Sequence, residues 1–161
     1  MNDQQNRVGV VLDAIDIAIL RLLQSDARMS NRDVATAIGV SPTTSLDRMR
    51  RLRTRGVIRG TTLDVDLAAI GRGVQALIAV RIRPPSREVI ESFRDWVSGL
   101  EHTLGVFVTA GNEDFIIHVA VRDNDDLYAF VIDRLTERRE VADVRTSVVY
   151  QHIRNGAVPP A

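Results

Sequence analysis

Residues 41–58 read SPTTSLDRMRRLRTRGVI and hold five arginines, at 48, 50, 51, 53 and 55, against one acid, Asp47. A guanidinium offers a rigid fork of donors that fits two phosphate oxygens or the O6/N7 edge of guanine. Ser41 followed by Pro42 has the form of a helix start, a hydroxyl cap before a residue whose missing N–H costs nothing there. Gly56 is a stop. On a helical wheel, Leu46, Met49 and Leu52 form an apolar docking stripe, and Thr44, Arg48, Arg51 and Arg55 cluster on the opposite side. Arg50 and Arg53 lie toward the flanks. The short hydrogen-bonding residues Ser41, Thr43, Thr44 and Ser45 occupy the first turn, where a recognition helix presents its tip to base edges, and Arg48, Arg51 and Arg55 follow. Double-stranded DNA is the partner this chemistry fits. The plain alternative is a solvated, arginine-rich helix face.

A second candidate is the turn Gly111-Asn112-Glu113-Asp114. Asp114 can pair with an ammonium group, and the backbone at Gly111 allows close approach of a small polar ligand. Read alone, GNED is first an ordinary hairpin turn, since Gly and Asn accept positive φ. His102, His118 and His152 stand far apart and outside any metal-ligand motif. Asp13 and Asp16 open a helix and read as caps. No nucleophile elbow, P-loop or dinucleotide fingerprint is present, so neither an enzyme, a cofactor nor a metal is expected.

Composition frames both candidates. The 161 residues have no net charge and no cysteine, and every one of the 21 basic residues is arginine. The absence of cysteine, of a long apolar run and of a signal pattern in the polar start MNDQQNR leads to the expectation of a cytoplasmic protein without membrane contact, nucleoid-associated if DNA is its partner. Neutrality hides a dipole: residues 1–60 carry ten Arg against six acids, and residues 61–161 carry eleven Arg against fifteen. Opposite halves with different partners follow.

Periodicity predicts three helices in the basic half. One spans about 12–25, with Ile15, Ile19, Leu22 and Leu23 inward. A second starts at the Ser30–Asp33 capping box and buries Val34, Ala37 and Ile38, and the arginine helix follows Gly39. A short helix, a glycine turn and a longer helix make a helix-turn-helix. Loose alternation over 57–66 predicts a strand or hairpin, and the glycines of DLAAIGRG (66–73) a joint. The second half reads strand (74–82), helix (86–100), strands (103–110 and 114–121), helix (124–138) and strand (141–153). That βαββαβ order predicts a ferredoxin-like sandwich. The expected division is 1–60, a linker over 61–73, 74–154, and a tail over 155–161.

The chain resembles the Lrp/AsnC (leucine-responsive, feast/famine) transcriptional regulators. LDAIDIAILRLLQSDARMSNRDVATAIGVSP looks like that family's LDxxDxxIL…LQxDxRxSNxxLAxxxGxSP, SLDRMRRLRTRGVIRG resembles its recognition helix and exit, and VRTSVVYQHI its last strand. The resemblance implies an α+β chain: a winged-type helix-turn-helix joined to a ferredoxin-like domain that regulates amino-acid metabolism. It implies homodimers through the sheet domain that assemble into tetramers, octamers or larger rings. It also implies an amino acid or related effector bound between dimers at Val108, Thr109, Ala110, Gly111, Asn112, Glu113, Asp114, Asn124, Ser147, Val148 and Val149. Asn112 and Glu113 replace an Asp and an aromatic in the family's GD-aromatic-D turn. Two other readings of the same architecture are an architectural protein that wraps DNA and an enzyme resembling sirohaem decarboxylases.

Overall fold

A computed structural model describes residues 11–153 and Val158. The start MNDQQNR and the predicted tail, Val158 apart, lie outside the described residues. The chain divides into two compact units: residues up to Leu63 with Ile153 and Val158, and residues Asp64–His152.

The first unit holds α1 (Ala14–Ser25), α2 (Asn31–Ile38) and α3 (Pro42–Thr54). Asp13 caps α1 through a reciprocal box with Asp16, Ser30 caps α2 and Ser41 caps α3. Gly39 ends α2 at φ +70°, a left-handed conformation that glycine adopts without cost, and so turns the chain into α3 within three residues. Ile19, Leu20, Val34, Met49 and Leu52 form the core, with Val57 and Ile58 packed against it. The strand or hairpin expected over 57–66 is not formed. Val57 and Ile58 are neighbours that both turn toward the core, and both their N–H groups donate to the Leu52 carbonyl. A strand needs a pairing partner, and residues 57–66 pair with no strand of the described sheet.

The second unit begins with a turn over 66–71 in which the Asp66 carboxylate accepts from the N–H groups of Ala68 and Ala69. Then come β1 (Val74–Ile82), α4 (Arg87–Ser98), β2 (Thr103–Val108), β3 (Phe115–Val121), α5 (Asn124–Phe130) and β4 (Val141–Val149). A π-helical turn, Val131–Leu135, continues α5. The four strands pair antiparallel in the order β2-β3-β1-β4, the ferredoxin-like arrangement. Alternate residues Ala76, Ile78, Val80 and Ile82 on β1 and Phe115, Ile117, Val119 and Val121 on β3 are buried with Phe93, Val97, Phe130 and Leu135 of the helices. The opposite face carries Leu77, Phe107 and Ile116, and Phe107 is 60% exposed. β4 stops at Val149, short of the expected residue 153, because Gln75 is its last partner on β1.

Candidate nucleic-acid interface and effector site

α3 docks through Ser45, Met49 and Leu52, all buried, with Leu46 only partly so. The burial of Ser45 places the helix differently from the wheel drawn on Leu46. At about 100° per residue the exposed row is centred on Thr43, Asp47, Arg50 and Thr54, displaced by one residue, or about 100°, from the row expected on sequence. Arg51, Arg53 and Arg55 are exposed along its margins.

Two residues expected to contact DNA are turned away from the exposed face. Ser45 is 0% exposed, and its hydroxyl has no hydrogen-bond partner. It lies on the buried face of α3 with Met49 and Leu52. Arg48 turns toward α1, where Nη1 pairs with Asp13 and lies 3.2 Å from Asp16 Oδ1. The Asp16 carboxylate is 6% exposed and that of Asp13 about half. The Asp16 N–H and, next, the Arg48 guanidinium hold the Asp13 carboxyl below its usual range, and Asp13 pushes Arg48 further up. Asp13 and Asp16 are caps, as their position suggests, and they are also the anchor of Arg48. The signal for that second role is slight: a helix opening with two acids and packed beside an arginine helix can claim one of those arginines.

In the first turn, the Ser41 hydroxyl accepts from the Thr44 N–H at 3.1 Å and shares a 2.8 Å hydrogen bond with the Thr44 hydroxyl. Both remain exposed but are engaged in the cap. Thr43 is exposed and Pro42 precedes it, tied to α2 by the Asn31 amide donating to the Pro42 carbonyl at 2.8 Å. Arg28, Arg32 and Arg59 are exposed as well. The arrangement is therefore a helix held on one side by a small apolar footing and an internal ion-pair cluster, with arginines and short polar groups on the other.

In the second unit, the turn between β2 and β3 is tightly tied. Thr109 donates through its hydroxyl to the Glu113 carbonyl at 2.6 Å and through its N–H to the Asp114 carbonyl at 2.9 Å. Asp114 Oδ2 accepts the Ile82 N–H at 2.7 Å, with Arg83 3.9 Å away. The Asp114 carboxylate thus already satisfies the backbone where β1 shifts register against β4. Glu113 pairs with Arg145 of β4, a partner 32 positions away that no local pattern announces. Val108, Ala110, Gly111 and Asn112 are all exposed around the half-buried Thr109, and Gly111 has φ +150°. Ser147, Val148 and Val149 lie opposite Leu77, Ala76 and Gln75, toward the far end of the sheet, and Asn124 opens α5 just beyond β3. β3 separates Asn124 from the turn, and seven residues of strand span roughly 20 Å. Within one chain the eleven residues make two groups, not one pocket.

A helix-turn-helix unit with this face, followed by a ferredoxin-like unit, defines a DNA-binding regulator of the helix-turn-helix class. Residues 12–53 match the AsnC-type helix-turn-helix domain and residues 75–158 the Lrp/AsnC ligand binding domain. The chain is 42% identical over 148 residues to the HTH-type transcriptional regulator AldR of Mycobacterium tuberculosis, covering 92% of this chain and 82% of that one. It is 33% identical to the transcriptional regulator AzlB of Bacillus subtilis, covering 88% and 90%. Among solved structures, a complex of the Neisseria meningitidis regulator NMB0573 with L-Met superposes with a TM-score of 0.83 at 28% identity, over 90% of this chain and 94% of that one. The chain belongs to the Lrp/AsnC family of transcriptional regulators.

Proposed function

We propose that this regulator reads duplex DNA through the exposed row of α3, acts as a homo-oligomer, and responds to an amino acid or related small molecule bound between copies. The observation that carries the first part is the surface of α3: Arg50, Arg51, Arg53 and Arg55 all face water while Arg48 alone is spent inside. Exposed guanidiniums facing a single acid, Asp47, favour phosphates, and the polar residues between them suit base edges. The DNA-facing set is thus Thr43, Thr44, Asp47, Arg50, Arg51 and Arg55, with Ser41 shaping its tip. Ser45 and Arg48 act from beneath.

The apolar outer sheet face with Leu77 and Phe107 supports pairing with a second copy, because exposed apolar area of this kind marks association surfaces. A two-fold dimer would present two α3 helices to two half-sites. The separation of the turn from Asn124 supports an effector pocket completed by another subunit, and larger assemblies fit the same logic. L-methionine, the ligand of the Neisseria relative, is the first compound to try. No catalytic role is assigned.

Fluorescence anisotropy on a duplex selected from a random library tests the DNA surface. Arg51→Ala should lower affinity and reduce the slope of log K against log salt by about 0.9 for each phosphate no longer neutralised. An unchanged titration would remove α3 from the interface. For the effector, a thermal-shift series with the twenty amino acids should show a rise with at least one of them. The absence of any rise would retire the amino-acid reading and leave the DNA reading standing.

A further inference from the structure

Asp47 is out of place on a surface meant for a polyanion. Its carboxylate is 63% exposed at the centre of the α3 row, one turn beyond Thr43 and next to Arg50 and Arg51. Its ion pair with Arg50 is loose, 3.9 Å between solvent-exposed atoms. Pairs of that kind hold neither partner in place. Arg48, the arginine adjacent in sequence, is unavailable to it, being engaged by Asp13 and Asp16. The acid therefore keeps its reach at the point where the helix approaches DNA.

Near phosphates such a charge is repelled, and among base edges it can be satisfied only by a donor. In the major groove the exposed amino groups belong to cytosine N4 and adenine N6, and adenine places an N7 acceptor beside its amino group, against which a carboxylate is repelled. Cytosine has no such neighbour. We infer that Asp47 is a specificity-determining residue of this regulator, its carboxylate accepting a hydrogen bond from the N4 amino group of a cytosine in each half-site. The proposal rests on the reading of α3 as the DNA-facing helix. It goes further in giving the acid a discriminating role: arginines raise affinity for every sequence, whereas Asp47 lowers affinity for all sequences except those with a cytosine at one position.

The sign of that effect makes it testable with the full-length chain. Wild type, Asp47→Ala, Asp47→Asn and Arg51→Ala are each used to select duplexes from a random library at one fixed salt concentration, and each is titrated against a single random duplex. Circular dichroism confirms folding, and the exposure of Asp47 leaves no reason for misfolding. Wild type should select a cytosine at one position per half-site with a preference of about ten-fold. Asp47→Ala should lose that preference alone while binding the random duplex several-fold more tightly. Asp47→Asn should move it to adenine, whose N6 and N7 an amide matches. Selection of the same motif by wild type and Asp47→Ala, or a wild-type motif without such a cytosine, would overturn the assignment. If Arg51→Ala also left motif and affinity unchanged, the fault would lie in the choice of helix; if only the Asp47 variants did so, in the role of Asp47.

Discussion

Arg48 donates to Asp13 and Asp16 from a helix whose other arginines face water, and its replacement should behave unlike theirs. Arg48→Ala leaves the nearly buried Asp16 carboxylate without its cation, which should lower the melting temperature by several degrees and weaken binding to all DNA sequences alike. Arg51→Ala should weaken binding with no loss of stability. Thermal melts alongside DNA titrations separate the two. Ser45→Ala makes the complementary case: it removes a buried hydroxyl with no partner and should leave stability unchanged or raise it by up to about 1 kcal/mol, with DNA affinity intact. A loss of affinity in that variant would return Ser45 to the interface. The acid limb of stability carries a further sign. Because the folded Asp13 carboxyl lies below its ordinary value of about 3.9, its contribution is complete above that value and is lost as pH falls through the lower folded one. Asp13→Asn should remove this component from a pH series of urea melts.

Among the elements, α1, α2, α3 and the βαββαβ order were legible in sequence because each carries its own period and its own punctuation: Asp13, Ser30, Ser41, Ser86 and Asp123 all cap helices as their types suggest. The rotation of α3 was not legible. Leu46 is the more apolar residue, yet Ser45, in line with Met49 and Leu52, is the buried one. Wheels drawn from hydropathy alone miss such packing. The missing strand over 57–66 and the commitment of Asp114 to the Ile82 N–H have the same origin: pairing across sequence distance decides them, and local residue types do not. The latter has a consequence for mutagenesis. Asp114→Ala should lower the melting temperature without any ligand, by loss of a hydrogen bond worth about 1–3 kcal/mol to a charged acceptor. Asn112, exposed at the tip, is the better probe of ligand binding, and its variants should leave the unliganded melt unchanged.

For the molecule as a whole, two questions meet: how copies associate and how association serves DNA binding. Phe107→Asp on the outer sheet face should convert a dimer to a monomer in sedimentation velocity and should lower operator affinity strongly, because engagement of the second half-site is then no longer intramolecular. A monomeric wild type would contradict the sheet-face reading. The dipolar charge of the chain fits the proposed division, a basic half for DNA and an acidic half for assembly and effector. The central proposal is that α3, rotated as Ser45 and Arg48 dictate, forms the DNA-reading surface. Anisotropy titrations of Arg48→Ala and Arg51→Ala across a salt series test this most directly. Arg51→Ala should show a reduced salt slope, and Arg48→Ala an unreduced slope with lowered stability. A reduced slope for Arg48→Ala with stability intact, or an unchanged slope for Arg51→Ala, would contradict it.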